Sequence, residues 1–180
     1  MANVQRVLND FLPMRQMPVK GSVAAIQTGD LVFWDTRFQA NTNQQTIRPA
    51  SSGSAGASAA DGRAQFSTLF CGVAAERHDL NSYDKNQPVH VDCEAEFTIA
   101  NSSGVATVAN ADIAPGTKVG VAVNSSNIPL DGGLVQIQGL HSVTIADGEA
   151  IGTLSRQIKN GDKTCRVHVK STLVFSQTGI

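Results

Sequence analysis

The chain has 180 residues, of which 41% are hydrophobic and 16% are charged, and its formal net charge is -1 at pH 7. A chain of this length predicts a single domain whose core folds without metals or disulfides, and the near-zero net charge provides no field that would gather nucleic acid or anionic lipid. No apolar run approaches the roughly 20 residues that cross a bilayer, so a membrane is not a predicted partner either. Residues 1–10 lack the basic-then-apolar order of a secretory signal, and we therefore expect synthesis in a cytoplasm.

Residues 1–27 form the first predicted unit, an N-terminal arm. Apolar residues between positions 4 and 11 recur at the i, i+3, i+4, i+7 spacing of one helical face, which predicts a short helix within residues 3–12 that ends before Pro13. Such a helix is too short to be stable alone in water, so we expect it to lie on its own domain or on a neighbouring subunit or other partner. The residues predicted to make a partner contact are Val4, Val7, Leu8, Phe11, Leu12, Met14 and Met17.

The predicted β domain spans residues 28–180 and begins with a strand. Residues 31–34 read Leu-Val-Phe-Trp after a Gly-Asp turn signal, which is typical of a strand that is buried on both faces or lies at a subunit contact. Trp34 and Phe38 are predicted anchors of a possible subunit contact, because large aromatic side chains often dominate such contacts. Residues 39–63 lose all periodicity, and their Ser/Gly/Ala-rich stretch at 51–60 predicts a long mobile loop.

The remainder of the chain alternates between apolar and polar residues. In the clearest strand, Val89 to Ile99, apolar residues share one side and a polar row occupies the other. Further strands are predicted within residues 105–108, 119–123, 134–145, 150–154 and 164–175, separated by Gly, Asn and Asp turn signals. About seven to eight short strands without a βαβ rhythm predict an all-β fold, an antiparallel β-barrel or sandwich.

No known catalytic or metal-binding motif is present in the sequence. The three cysteines are widely spaced and odd in number, which favours reduced, buried core residues over disulfides or a zinc site; they are Cys71, Cys93 and Cys165. We therefore predict a protein that is not an enzyme, with no catalytic residue, no metal ligand and no cofactor.

Three polar constellations leave alternatives open. The polar row of strand 89–99 could bind a cation or supply a glycosidase acid/base pair, but it also fits a solvated strand face; its members are His90, Asp92, Glu94 and Glu96. If the last strand lies beside it, Arg166, His168 and Lys170 would pair with this row. A metal shared by His90, His141 and His168, and a Cys71 nucleophile activated by His78, are the other two alternatives.

Three short runs and their order resemble the capsid decoration, or cement, proteins of tailed bacteriophages. The runs are Gly-Asp-Leu-Val at 29–32, then after a long polar loop Phe-Cys-Gly-Val-Ala at 70–74, and Pro-Gly-Thr-Lys-Val-Gly-Val at 115–121. Members of that family are small β-barrels or sandwiches, commonly trimeric, that bind outside the shell and tie adjacent capsomers together, often with an N-terminal arm. The resemblance implies a virion structural protein, made in the host cytoplasm, that acts as a homotrimer on the capsid surface with the major capsid protein as its partner.

Two functions of other classes remain alternatives at this stage. A carbohydrate-binding or receptor-binding β domain would fit the low charge of the chain. A small hydrolase would use a carboxylate and histidine site on strand 89–99.

Overall fold

The computed structural model describes residues 7–19, 25–35, 46–79, 85–101, 104–109, 112–130 and 132–172. Strands dominate this part of the chain, and it also contains one α-helix and two short 3-10 helices at Ala50–Ser52 and Asp147–Glu149. The other elements are β1 (Val7–Asp10), β2 (Arg15–Val19), β3 (Leu31–Asp35), β4 (Thr46–Pro49), α1 (Ala59–Thr68), β5 (Phe70–Ala74), β6 (Lys85–His90), β7 (Asp92–Asn101), β8 (Gly104–Val105), β9 (Lys118–Val121), β10 (Leu134–Ile137), β11 (Gly152–Leu154) and β12 (Thr164–Lys170).

The predicted all-β fold is confirmed, and its centre is a closed barrel. Strands β7, β10, β9, β11 and β12 are hydrogen-bonded in this order, and β12 pairs back with β7 to complete the closure. All neighbours in the barrel are antiparallel except β7 and β10, which run parallel. Parallel neighbours need a long connection, and here it contains β8 and β9.

A second, fully antiparallel sheet packs beside the barrel, with strand order β2-β6-β5-β3-β4. Its strand β3 is buried on both faces, one of the two positions that the sequence predicts for it. Leu31 and Phe33 belong to the main core, which fills the barrel, whereas Val32 belongs to a second core on the opposite face of the sheet. The second sheet is therefore a wall shared by two cores.

All three cysteines are buried and free, which confirms their predicted role as core residues. Cys93 and Cys165 lie in the main core, and Cys71 lies in the second core. Burial raises the pKa of the Cys93 and Cys165 thiols to about 12. Thiols in this state are packing groups and poor nucleophiles.

The helix predicted within residues 3–12 is wrong where the structure describes it. Residues Val7–Asp10 form β1, which pairs with β7 through Val7–Ala95, Asn9–Glu94 and Asp10–Cys93, with a register shift after Val7. Tertiary pairing overrides the helical spacing, because β7 supplies hydrogen bonds that local sequence cannot reveal. Residues 1–6, which include Val4, lie outside the described part.

The continuous loop predicted at 39–63 is also wrong in two places. Thr46–Pro49 is β4, the antiparallel neighbour of β3, and the Ser/Gly/Ala-rich stretch runs directly into α1. Ser58 caps this helix, since its Oγ accepts a hydrogen bond from the backbone N–H of Asp61 at 3.2 Å. Residues 36–45 lie outside the described part.

A bulge in β5 is the tightest point of the second sheet. Val32 faces Gly72 but Phe33 faces Phe70, so Cys71 is an extra residue in β5. Gly72 has φ +141°, and a Cβ added there would lie 2.1 Å from the carbonyl oxygen of His90. Only glycine fits this close approach of two strands.

We therefore expect Gly72→Ala to lower the free energy of unfolding by about 2 kcal/mol or more, because the methyl group meets backbone and the φ value is strained. Gly148→Ala is the matched control, since a Cβ there meets nothing within 4 Å, and its expected change is within about 0.5 kcal/mol. Urea unfolding of both variants measures the difference. Equal stabilities would contradict this account of the bulge.

Candidate functional site

Four consecutive exposed residues, Phe11, Leu12, Pro13 and Met14, connect β1 to β2; we call them the apolar tip. The exposed fractions of Phe11, Leu12 and Met14 are 54%, 36% and 48%. Among the described residues the only other large apolar side chain this exposed is Val105, which lies alone on β8. The contiguous apolar surface of the described chain is thus concentrated in one connection.

Polar contacts hold the first half of the apolar tip in place. The Asn9 side chain donates to Glu94 Oε2 at 3.0 Å, and His90 Nδ1 lies 2.7 Å from both carboxylate oxygens of Asp10. The backbone N–H of Phe11 donates to the Asp92 carbonyl at 3.0 Å, and its ring meets the His168 ring edge-on with centroids 4.9 Å apart. Phe11 is therefore exposed but ordered.

The second half of the apolar tip is fixed by β2. This strand pairs with β6 over all five of its residues, and Met17 and Val19 are 5% exposed in the second core. Because β1 belongs to the barrel and β2 to the second sheet, the tip bridges the two sheets and is anchored at both ends.

The predicted arm contacts divide into three groups in the structure. Phe11, Leu12 and Met14 are exposed, whereas Met17 is buried in the second core and Val7 packs against the main core. Leu8 is half-buried. Met17 is therefore unavailable to a partner in this conformation, because its side chain is used in the second core, whereas Val7 is only partly buried.

The polar row of strand 89–99 lies beside β12, so the condition on which its pairing with the last strand depended is met. The register places Arg166 opposite Glu96, His168 opposite Glu94 and Lys170 opposite Asp92. In addition, His168 Nε2 lies 2.7 Å from Asp92 Oδ1. Opposite charges on neighbouring strands stabilise a sheet. The contact with Asp92 also holds His168, against whose ring Phe11 packs.

Within the polar row, the carboxylate of Glu94 is held by hydrogen bonds to side chains on both sides. Its two oxygens accept hydrogen bonds from Ser155 Oγ at 2.6 Å and from Asn9 Nδ2 at 3.0 Å. These bonds, that of Ser155 first, lower the pKa of Glu94 below its ordinary value. A general acid needs a raised pKa, so this carboxylate fits a structural role better than an acid/base role.

The histidine and cysteine alternatives do not form sites in the described residues. No group of three or more His, Cys, Asp or Glu side chains there could hold a metal ion, and His90 and His168 each bind an aspartate instead. Burial raises the pKa of Cys71, whose Sγ donates to the Leu69 carbonyl at 3.5 Å and not to His78. This environment is the opposite of that of an activated thiol.

Trp34 is half-buried on β3, where it packs against the second core. Together with Phe33, Phe66 and Leu69 it lines a cavity of ≈ 420 Å³. Its Nε1 is buried and has no hydrogen-bond partner among the residues that the structure describes. The predicted subunit contact of Trp34 stays a prediction, and Phe38 lies outside the described residues.

Sequence reasoning missed Arg63, the residue that attaches α1 to the barrel. Its side chain is buried, and Nε donates to Glu149 Oε2 at 2.7 Å, Nη1 to Gln136 Oε1 at 3.0 Å and Nη2 to the Thr144 carbonyl at 3.0 Å. Ser67, one turn further along α1, donates to the Gly148 carbonyl. The spacing of Ser58 and Asp61 is the one local signal that could have indicated this helix.

Comparison of the chain with protein-family models finds no matching family, and comparison with curated proteins finds no match. Within the described ranges, no helix has the length and apolar character required to cross a membrane.

Replacing Arg63 should cost far more stability than replacing an exposed arginine. Arg63→Met leaves Glu149 buried without its partner, so we expect a loss of about 3–5 kcal/mol, part of which Glu149→Gln restores in the double variant. The control is Arg77→Met, because Arg77 and Asp79 form an exposed pair at 2.7 Å, and its expected loss is below about 1 kcal/mol. Urea unfolding of the two single variants measures both losses in the free energy of unfolding. A small loss for Arg63→Met would show that the network does not dock α1.

The polar row should make stability depend on pH in the acid range. The folded pKa of Glu94 is lowered, so its contribution is present above the unfolded pKa and is lost as the pH falls through the folded pKa. We expect the stability advantage of the native chain over Glu94→Gln to be largest at neutral pH and to shrink on acidification. Glu76→Gln, at an exposed position, is the control. An advantage that stays constant with pH would contradict the role of Glu94.

Proposed function

We propose that this protein is a non-enzymatic capsid decoration protein, which binds the outer surface of a tailed-bacteriophage capsid and stabilises contacts between capsomers. The observation that carries the proposal is the apolar tip: three large apolar side chains held exposed between two anchored strands. The resemblance of the runs at 29–32, 70–74 and 115–121 to the decoration proteins supports the class of partner.

The anchoring of the apolar tip supports a role in binding. An exposed apolar segment that is already ordered loses little conformational entropy when it docks, so more of its burial energy appears as affinity. Phe11 is ordered by its contacts to Asp92 and His168 before any partner arrives. The tip thus fits a preformed anchor that enters a shallow pocket on another protein.

The small size of the apolar tip fits a repeated surface. Three side chains alone give modest affinity, but symmetric copies that engage a regular lattice gain strength by avidity. This favours a homotrimer on the virion surface, with the major capsid protein as the partner and with synthesis in the host cytoplasm. Trp34, with Phe38, is the proposed subunit contact of that trimer.

The chemistry of the polar side chains supports a function without catalysis. Glu94 has a lowered pKa and both of its oxygens accept hydrogen bonds, while burial raises the pKa of all three thiols. These groups are arranged for stability. A binding function requires only surface and rigidity, which the apolar tip combines.

The triple variant Phe11→Ser/Leu12→Ser/Met14→Ser tests the proposal. All three side chains are exposed, so we expect normal folding but at least a tenfold loss of binding to phage capsids that lack this chain, measured by cosedimentation. Val105→Ser is the matched control: Val105 is 64% exposed and belongs to β8, not to the tip. Its binding should equal that of the native chain.

Two results would contradict the proposal. The triple variant might bind capsids with native affinity, which would remove the apolar tip from the contact. Alternatively, sedimentation equilibrium might show that the native chain is a monomer and binds no capsid, which would remove the decoration function itself. A trimer mass together with tip-dependent binding is the expected outcome.

A further inference from the structure

A second cavity lies at the N-terminus of α1, between the loop after β9 and the turn after β10; we call it the polar cavity. Its volume of ≈ 440 Å³ is within the range of small-molecule sites. Arg63, Gln136 and Glu149 line it although they are only 5%, 3% and 8% exposed. Asn127, His141 and Ser142 are among the residues at its rim.

The buried residues of the polar cavity have donor and acceptor groups that make no hydrogen bond within the described residues. Arg63 uses one N–H at each of its three nitrogens, so two of the five N–H groups of the guanidinium remain. Arg63 donates hydrogen bonds to Gln136 Oε1 and Glu149 Oε2. The other polar atom of each side chain, Gln136 Nε2 and Glu149 Oε1, makes no hydrogen bond with the described residues. Neither atom is among the fully enclosed atoms that lack a partner, and both residues line the cavity.

These groups define the chemistry of a ligand. The Arg63 and Glu149 charges cancel at 2.7 Å, so the floor presents donors and an acceptor side by side without a net charge that would select an anion or a cation. A hydroxyl group both donates and accepts, and the amide and hydroxyl side chains of the rim do the same. We propose that the polar cavity binds a neutral polyhydroxyl ligand, a monosaccharide unit of a glycan.

The rim of the polar cavity has an unusual backbone. The non-glycine residues with positive φ in the described chain are Asn127 at 60°, His141 at 52° and Ser142 at 59°, and all three line this cavity. Such conformations persist only where the surroundings impose them. The surroundings of Asn127 impose its conformation, because its Nδ2 donates to the Gly56 carbonyl at 3.3 Å and its own carbonyl accepts from the Gly56 N–H at 3.2 Å. At His141 and Ser142 the tight turn closed by the Val143 N–H and the Leu140 carbonyl at 3.0 Å requires the positive φ values, so these parts of the rim are held by local backbone contacts.

The expected affinity is weak. The lining residues that the structure describes include no Phe, Tyr or Trp, so a sugar gains hydrogen bonds and contact with Val123 and Val143 but no stacking on a large aromatic ring. For a ligand of this size we expect a dissociation constant of about 1–10 mM. Presentation on several copies of the chain would raise the apparent affinity for a glycan polymer.

Amide NMR titration of the full chain tests this site, with the methyl glycosides of glucose, galactose, mannose and N-acetylglucosamine as probes. We expect saturable shifts for at least one probe, centred on Ala60, Asn127 and Ser142, which line the cavity. Failure of all four glycosides to produce saturable shifts at tens of millimolar would overturn the proposal. So would saturable shifts centred on the apolar tip.

Two variants and a control locate the binding. Ala60→Phe narrows the mouth of the cavity from an exposed helical position, and Gln136→Met removes the amide donor; both should weaken binding at least tenfold. Ala57→Phe adds the same ring at an exposed residue outside the lining and should bind normally. Native affinity in Ala60→Phe would overturn the proposal even if Gln136→Met fails to fold. Because the apolar tip takes no part, the capsid proposal stands or falls separately.

Discussion

Strand β7 is hydrogen-bonded along both edges, and the rest of the molecule depends on this double pairing. Ile99 shows one edge, where its N–H donates to Lys163 beside β12 and its carbonyl accepts from Ala106 after β8. On the other edge, β1 pairs with residues 93–95 and β10 with residues 98–99. The pairings with β12 and β10 close the barrel, while the pairing with β1 determines where the chain leaves the barrel for the second sheet. A single strand thus sets both the closure and the position of the apolar tip.

The double pairing also explains which parts of the fold the sequence could predict. A strand with one face in the core and one face toward solvent must alternate; β12 does so throughout, and β7 does so from Asp92 to Ile99. Their adjacency, by contrast, was left open by the sequence, and the register shows it by placing Glu96 opposite Arg166 on the outer faces. Burial of β3 on both faces was predictable for a related reason, since a wall between two cores is apolar throughout.

Elements that depend on distant partners could not be predicted in this way. Within the segment that has helical spacing, Val7–Asp10 form a strand because they pair with β7, where the partner residue Glu94 is 85 positions from Asn9. The Ser/Gly/Ala composition before α1 conceals a helix that is held by the buried Arg63–Glu149 pair and by Phe66 in the main core, and not by a continuous apolar stripe. The polar cavity is hidden for the same reason, since residues from α1, β10 and two loops meet only in the folded chain.

The two proposed binding surfaces lie at opposite ends of β7. Phe11 of the apolar tip rests on Asp92, the first residue of this strand, and Asn101, its last residue, lines the polar cavity. At about 3.3 Å per residue the two ends are roughly 30 Å apart along the strand. A partner at the tip would therefore meet the protein about one strand length away from the cavity. Because β7 is paired on both edges, the sheet fixes this separation, and the tip and the cavity lining share no residue.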